Sequence, residues 1–163
     1  MKDKLKHYKF PLLVALLATF AVAGLGGLLT TLGPWYYGLQ QPAWKPPDWL
    51  FGPVWTTIFV LIALAGATAW IQAPDRTAQV RILAAFGLNA VLNVLWSGLF
   101  FALQRPDWAL YEIGPLWLSI ALLIAVVGRY SRLAAGLLLP YLGWVGFAAA
   151  LNYAVVRLNG PFG

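Results

Sequence analysis

Apolar residues in this chain neither alternate with polar ones nor confine themselves to one helical stripe; they run on unbroken. Runs near the ~20 residues needed to cross ~30 Å of hydrocarbon as a helix recur five times. The pattern predicts membrane helices over 10–32, 53–73, 82–103, 109–128 and 133–156. A small outer-membrane barrel would alternate apolar and polar positions, and PLLVALLATFAVAG does not. The fold class expected is therefore all-α, a single integral membrane domain over 1–163 with a connecting segment at 33–52. Short connections after the second, third and fourth helices predict sequential antiparallel packing of neighbours.

Composition sharpens this picture. The chain is 61% hydrophobic and 10% charged, far from the ~25% charge of soluble domains. Its MKDKLKHYKF start resembles a signal-peptide n-region, but the apolar stretch that follows exceeds an h-region and lacks a clear cleavage site, so the first helix is expected to be retained. A net charge of +6 raises nucleic acid as a partner, yet the basic residues sort by side. Lys2, Lys4, Lys6, Lys9, Arg76, Arg81, Arg129 and Arg132 fall on one side, and Lys45, Arg105 and Arg157 on the other. The positive-inside rule then predicts the N-terminus in and the C-terminus out, with 33–52 on the outer side, and nucleic acid is not the expected partner.

Candidate chemistry narrows the function classes. The five acidic residues, Asp3, Asp48, Asp75, Asp107 and Glu112, are expected in loops or near helix ends, which argues against ion-coupled transport through a mid-membrane carboxylate. There is no cysteine, and the one histidine, His7, lies in the basic tail, so neither a thiolate metal site nor a histidine-assisted nucleophile is expected.

Three constellations remain. PWYYGLQQPAWKPPDWLFGPVW (34–55) cannot form one regular helix, because each proline removes an N–H and fixes φ. Its rings suit either an interfacial aromatic belt or a stiff lid over a flat apolar ligand. In the third helix Asn89, Asn93, Trp96 and Phe100 share one face, as interhelical glue or as a pocket wall. In the fifth, Tyr141, Trp144 or Val145, Ala148 and Asn152 share another, with Pro140 inside the run. Gly146-x-x-x-Ala150 and Ala23-x-x-x-Gly27 permit close helix approach, within the bundle or in a dimer. Leu151, Tyr153 and Arg157 fit the loose sterol pattern L/V-x-Y-x-K/R, or simply anchor a helix end at the interface.

Taken together, WYYGLQQPAWKPPDWLFGPVW, LNVLWSGLFF and LPYLGWVGFAAALNY, in that order on five helices, resemble the TspO/translocator protein family, the tryptophan-rich sensory proteins also called peripheral benzodiazepine receptors. The resemblance implies a five-helix bundle, usually a homodimer, whose first loop caps a ligand pocket. It implies porphyrins such as protoporphyrin IX, haem, sterols and benzodiazepine-type drugs as ligands, with no cofactor required. Matched residue by residue, Tyr36, Pro46, Phe51, Trp55, Phe59, Asn93, Trp96, Trp144 and Ala148 fall at pocket positions. The function implied is a receptor or carrier for porphyrins, and for sterols or other isoprenoids, that regulates tetrapyrrole metabolism or a stress response. The alternative is light-dependent degradation of protoporphyrin through Trp55 and Trp144. A bacterial cell membrane is the location expected, with an organellar membrane as the alternative.

Overall fold

A computed structural model describes residues 2–163, with side chains from His7 onward. The described residues form six helices: α1 (Lys2–Leu29), α2 (Pro34–Gly38), α3 (Phe51–Gln72), α4 (Arg76–Ser97), α5 (Pro106–Gly128) and α6 (Arg132–Asn159). A 3-10 turn at Asp48–Leu50 leads into α3, and a π turn at Gly98–Ala102 ends α4. Five helical stretches, beginning at His7, Asp48, Arg76, Pro106 and Arg132, are long and apolar enough to span a bilayer. The connecting segment is not all loop, since α2 and the 3-10 turn fall inside it.

Helix starts lie earlier than hydropathy alone predicts, and polar caps set two of them. Asp75 accepts a hydrogen bond from the Ala78 amide at 2.8 Å, so α4 begins at Arg76 rather than 82. Ser131 caps α6 through the Ala134 amide in the same way. Pro106 occupies the first turn of α5, where its missing N–H costs nothing. Pro140 is exposed and α6 continues through it.

Sequential packing fails at one step. Although only a short turn joins α3 to α4, they scarcely touch, and α3 packs instead between α1 and α6. Around the bundle the order is α1, α3, α6, α5, α4, returning to α1. The core is Ile62, Ala65, Ile120, Leu123, Val127 and Leu138, small and branched residues that let α3, α5 and α6 approach closely, with the buried ring of Tyr141 among them. α1 stands outside it: of its residues from His7 onward, only Gly26 is buried. Its Tyr8 hydroxyl and Thr68 on α3 share a 2.9 Å hydrogen bond at one end. At the other, Gly26 approaches Ser97 and Leu29 approaches Gly98, joining α1 to α4. Gly146 lies against the Trp117 ring of α5, so its small-residue motif serves packing within the bundle, whereas a side chain at Gly27 would meet nothing.

Candidate functional site

The segment between α1 and α3 forms a lid over one end of the bundle. Its prolines limit the chain to extended and turn conformations, and polar side chains then pin it. Tyr36 on α2 donates to Asp48 at 2.8 Å, and Lys45 reaches the same oxygen at 2.7 Å and the Pro46 carbonyl at 3.1 Å. Burial, and then donation to Asp48, hold the Tyr36 phenol well above its ordinary pKa, so it remains a donor throughout the physiological range. A second clamp comes from the far end of the chain. The Gln40 amide donates to Asn159 Oδ1 at 2.7 Å, and Asn159 Nδ2 donates back to the Gln40 carbonyl at 2.9 Å.

Below the lid the matched residues gather into two ring clusters. Phe51, Trp55 and Phe59 recur every four residues on α3 and so lie along one stripe. Trp55 meets Phe59 at 5.6 Å and Tyr141 at 6.2 Å between centroids, and Phe51 meets Trp144 edge-on at 5.6 Å. Trp144 continues to Phe147 at 5.3 Å, on which the lid's Trp44 rests at 5.8 Å. In the second cluster Trp96 stacks on Phe100 at 5.1 Å, while Tyr36 meets Phe101 at 5.9 Å. The π turn brings Phe100 and Phe101 into this contact by placing one extra residue in the last turn of α4. Trp96 packs against both clusters and joins them. Pro46 is half-buried in the lid, and Ala148 is half-buried beside the larger cluster.

Polar groups tie the helices together between these rings. Asn93 Nδ2 donates to the Tyr141 hydroxyl at 2.9 Å, which donates to Asn89 Oδ1 at 3.1 Å, and Asn89 Nδ2 donates to Ser119 at 3.0 Å. Trp96 Nε1 donates to Asn152 Oδ1, whose amide donates to the Pro106 carbonyl. The asparagine stripe therefore acts as interhelical glue. Three buried side-chain atoms have no partner among the described residues: both carboxylate oxygens of Glu112, and Nε1 of Trp144.

Glu112 corrects an expectation. It does not lie at a helix end: it is six residues past Pro106, about 9 Å along α5, and only 7% exposed. The contacts from Asn152 to Pro106 and from Trp117 to Gly146 bracket it along α6, which places it near the level of Ala148, in the lid half of the bundle.

Two concavities flank these clusters. One, of about 490 Å³, runs between α1, α3 and α4 and is reached by Phe59 and Asn93. The other, of about 470 Å³, lies between α3 and α6 beside Pro53, Pro140 and Trp144. Leu151, Tyr153 and Arg157 lie near the lid end of α6; Tyr153 and Arg157 are exposed one turn apart, and Leu151 is half-buried on a different face. Asn159, Lys45 and Asp48 were missed by sequence reasoning. The i, i+3 spacing of Lys45 and Asp48 was the one local signal available.

The same motifs carry similarity to known proteins. The model of the TspO/MBR family matches residues 13–158. A tryptophan-rich protein TspO of Archaeoglobus fulgidus is 40% identical over 150 residues, covering 91% of this chain and 96% of that protein. The translocator protein of Sus scrofa is 37% identical over 146 residues, covering 85% and 86%. The tryptophan-rich sensory protein of Cereibacter sphaeroides is 31% identical over 148 residues, covering 91% of each chain. With five spanning helices, a proline-stiffened lid and a match over nearly its whole length, this integral membrane protein belongs to the TspO/MBR family.

Proposed function

We infer that the protein is a membrane receptor or carrier that binds a flat tetrapyrrole such as protoporphyrin IX in the lid half of the bundle, and regulates tetrapyrrole metabolism or a stress response. The observation that carries this reading is a pair of buried groups without a partner among the described residues, the Glu112 carboxylate and the Trp144 indole N–H, the latter within the ring cluster under a pinned lid. An acceptor and a donor left unpaired in a low-dielectric site each cost ~1–3 kcal/mol; a propionate on the ligand's edge can accept from the Trp144 N–H, and a protonated propionic acid can donate to Glu112. Haem is read as ligand through its macrocycle face. His7, the chain's only histidine, lies at the opposite end of α1 from the lid.

The same reading places the lid on the outer side of a bacterial cell membrane, or the corresponding side of an organellar one. It takes the active form as a homodimer, and sterols or other isoprenoids as further ligands through Leu151, Tyr153 and Arg157. Photochemical consumption of the porphyrin is the second reading, favoured by Trp55 and Trp144 lying in one ring cluster.

Protoporphyrin IX titrated into the protein in lipid nanodiscs should quench tryptophan emission saturably, and removing the Trp55 and Trp144 rings together by alanine should abolish the saturable part. Linear partitioning indistinguishable from empty nanodiscs would sink the reading.

A further inference from the structure

Charge is balanced at one end of the bundle and unbalanced at the other. Both ion pairs among the described residues, Lys45 with Asp48 and Arg105 with Asp107, lie at the lid end. Lys2, Lys4, Lys6, Lys9, Arg76, Arg81, Arg129 and Arg132 belong to the opposite end, where the acidic residues are Asp3 and Asp75. Asp75 is already engaged, since it accepts from the Ala78 amide as the cap of α4. The four arginines of this end are exposed, and none has a hydrogen-bond or ion-pair partner among the described residues.

Two of these arginines flank a single seam. Asn89 of α4 donates to Ser119 of α5 at 3.0 Å, which sets the register of these antiparallel neighbours. Eight residues away from the lid, ~12 Å along each helix, bring Arg81 opposite Val127, with Arg129 ~3 Å further out. Helical spacing then fixes the faces. Arg81, Ala84 and Leu88 share a stripe at i, i+3 and i+7, on the side of α4 away from Leu83, Phe86 and Ala90, which line the groove shared with α1. Because α4 lies between α1 and α5, that stripe borders α5. On α5, Leu122, Ala125 and Arg129 repeat the pattern in reverse, and Leu122 is one turn from Ser119, the residue that meets α4. All six residues are exposed. The seam therefore presents a guanidinium at each rim, a small side chain beneath it, and a leucine ~10 Å deeper.

We propose that the outer seam between α4 and α5, at the end opposite the lid, is a site for an anionic phospholipid, its phosphate bridged by Arg81 and Arg129 and an acyl chain lying on Leu88 and Leu122. Packed helices lie ~8–10 Å apart, so two long arginine side chains reach one phosphate between them, and the planar guanidinium fork matches its oxygens. The leucines below make the source a lipid rather than a free phosphate, because both stripes continue into segments that span the bilayer. Headgroup charge decides between lipids. A zwitterionic lipid would bring its ammonium to an end that already holds Arg76 and Arg132, whereas a lipid of net negative charge relieves the imbalance. A second copy of the chain docking through the same seam would set arginine against arginine.

The experiment places the full chain in phosphatidylcholine nanodiscs with a trace of phosphatidylglycerol or phosphatidylcholine carrying a diazirine in one acyl chain, and maps the photoadducts by mass spectrometry. The phosphatidylglycerol probe should label residues 84–92 and 118–125 saturably, with an apparent affinity about ten- to thirtyfold above that of the phosphatidylcholine probe, the value of two arginines near the surface. Unlabelled phosphatidylglycerol should compete, and inorganic phosphate should not. The double variant Arg81→Gln, Arg129→Gln should bring the two probes level. Arg76→Gln with Arg132→Gln removes the same charge from the same end and should keep most of the preference. Protoporphyrin titration should be unchanged in both doubles, which shows each to be folded and separates this seam from the lid. Equal labelling by the two probes in wild type, equal loss of preference in the two doubles, displacement by inorganic phosphate, or crosslinks between copies in place of probe adducts would each overturn the proposal.

Discussion

Asn159 closes the lid from the opposite end of the sequence, and removing its amide opens that clamp. Asn159→Ala deletes both the acceptor for the Gln40 amide and the donor to the Gln40 carbonyl. Asn159→Ala also removes the hydrogen bond from Asn159 Nδ2 to the Val155 carbonyl within α6, a loss that the higher helix propensity of alanine offsets. A hydrogen bond is worth ~0.5–1.5 kcal/mol net, and both of these are solvent-exposed, so the pair contributes about 1–2 kcal/mol. The lid-opening equilibrium should rise by roughly five- to thirty-fold. Hydrogen exchange followed by mass spectrometry reads this directly: peptides spanning 39–47 should lose protection by that factor, while peptides of α5 should not change. Asn159→Asp retains the acceptor and loses the donor, so it should fall between. Where lid opening gates release, bound tetrapyrrole should dissociate faster by up to the same factor. Unchanged exchange across 39–47 in Asn159→Ala would refute the argument, leaving the prolines and the contacts of Tyr36 and Lys45 with Asp48 to hold the lid unaided.

Other tests bear on the remaining claims. Because the chain has no cysteine, single cysteines at the exposed positions Ala43 and Thr77 report orientation. An impermeant maleimide added outside should label the first alone, and the reverse pattern would invert the topology. Glu112→Leu removes a buried carboxylate that has no partner among the described residues. The unliganded protein should therefore become more stable by ~1–3 kcal/mol in a denaturation assay while porphyrin affinity falls; lost stability would mean that the carboxylate is structurally paired. Trp55→Phe and Trp144→Phe should each keep porphyrin affinity within about tenfold, because most of the apolar face survives. Equal bleaching in light by wild type and the double variant at matched occupancy would eliminate the photochemical reading.

Some of this architecture was legible in the sequence and some could not be. The five spans and the position of the lid are local properties, written in unbroken apolar runs and in the density of proline and tryptophan. The stripe of Asn89, Asn93, Trp96 and Phe100 was equally local, since helical spacing alone puts those four on one face. The order of helices around the bundle was not legible, because turn length sets which ends are close without setting which faces pack. Asn159 escaped notice because its partner is 119 residues away. Glu112 was misplaced for a simpler reason. Hydropathy started α5 at 109, whereas proline in the first turn starts it at Pro106, and three residues nearly make the turn that carries the carboxylate from the rim into the bundle.

The ring order also governs how the protein is made. Helices leave the ribosome from first to last, yet α6 is the helix that lies between α3 and α5. Until the final stretch has been synthesised and inserted, Tyr141 has no place in the core, Trp96 lacks Asn152, and the lid lacks Asn159. α3 and α4 must therefore wait in the bilayer as neighbours joined by a short turn but not by packing. A nascent chain stopped short of α6 is an open arc of helices that exposes its core to lipid and to quality-control proteases, and the bundle closes only when its last helix arrives.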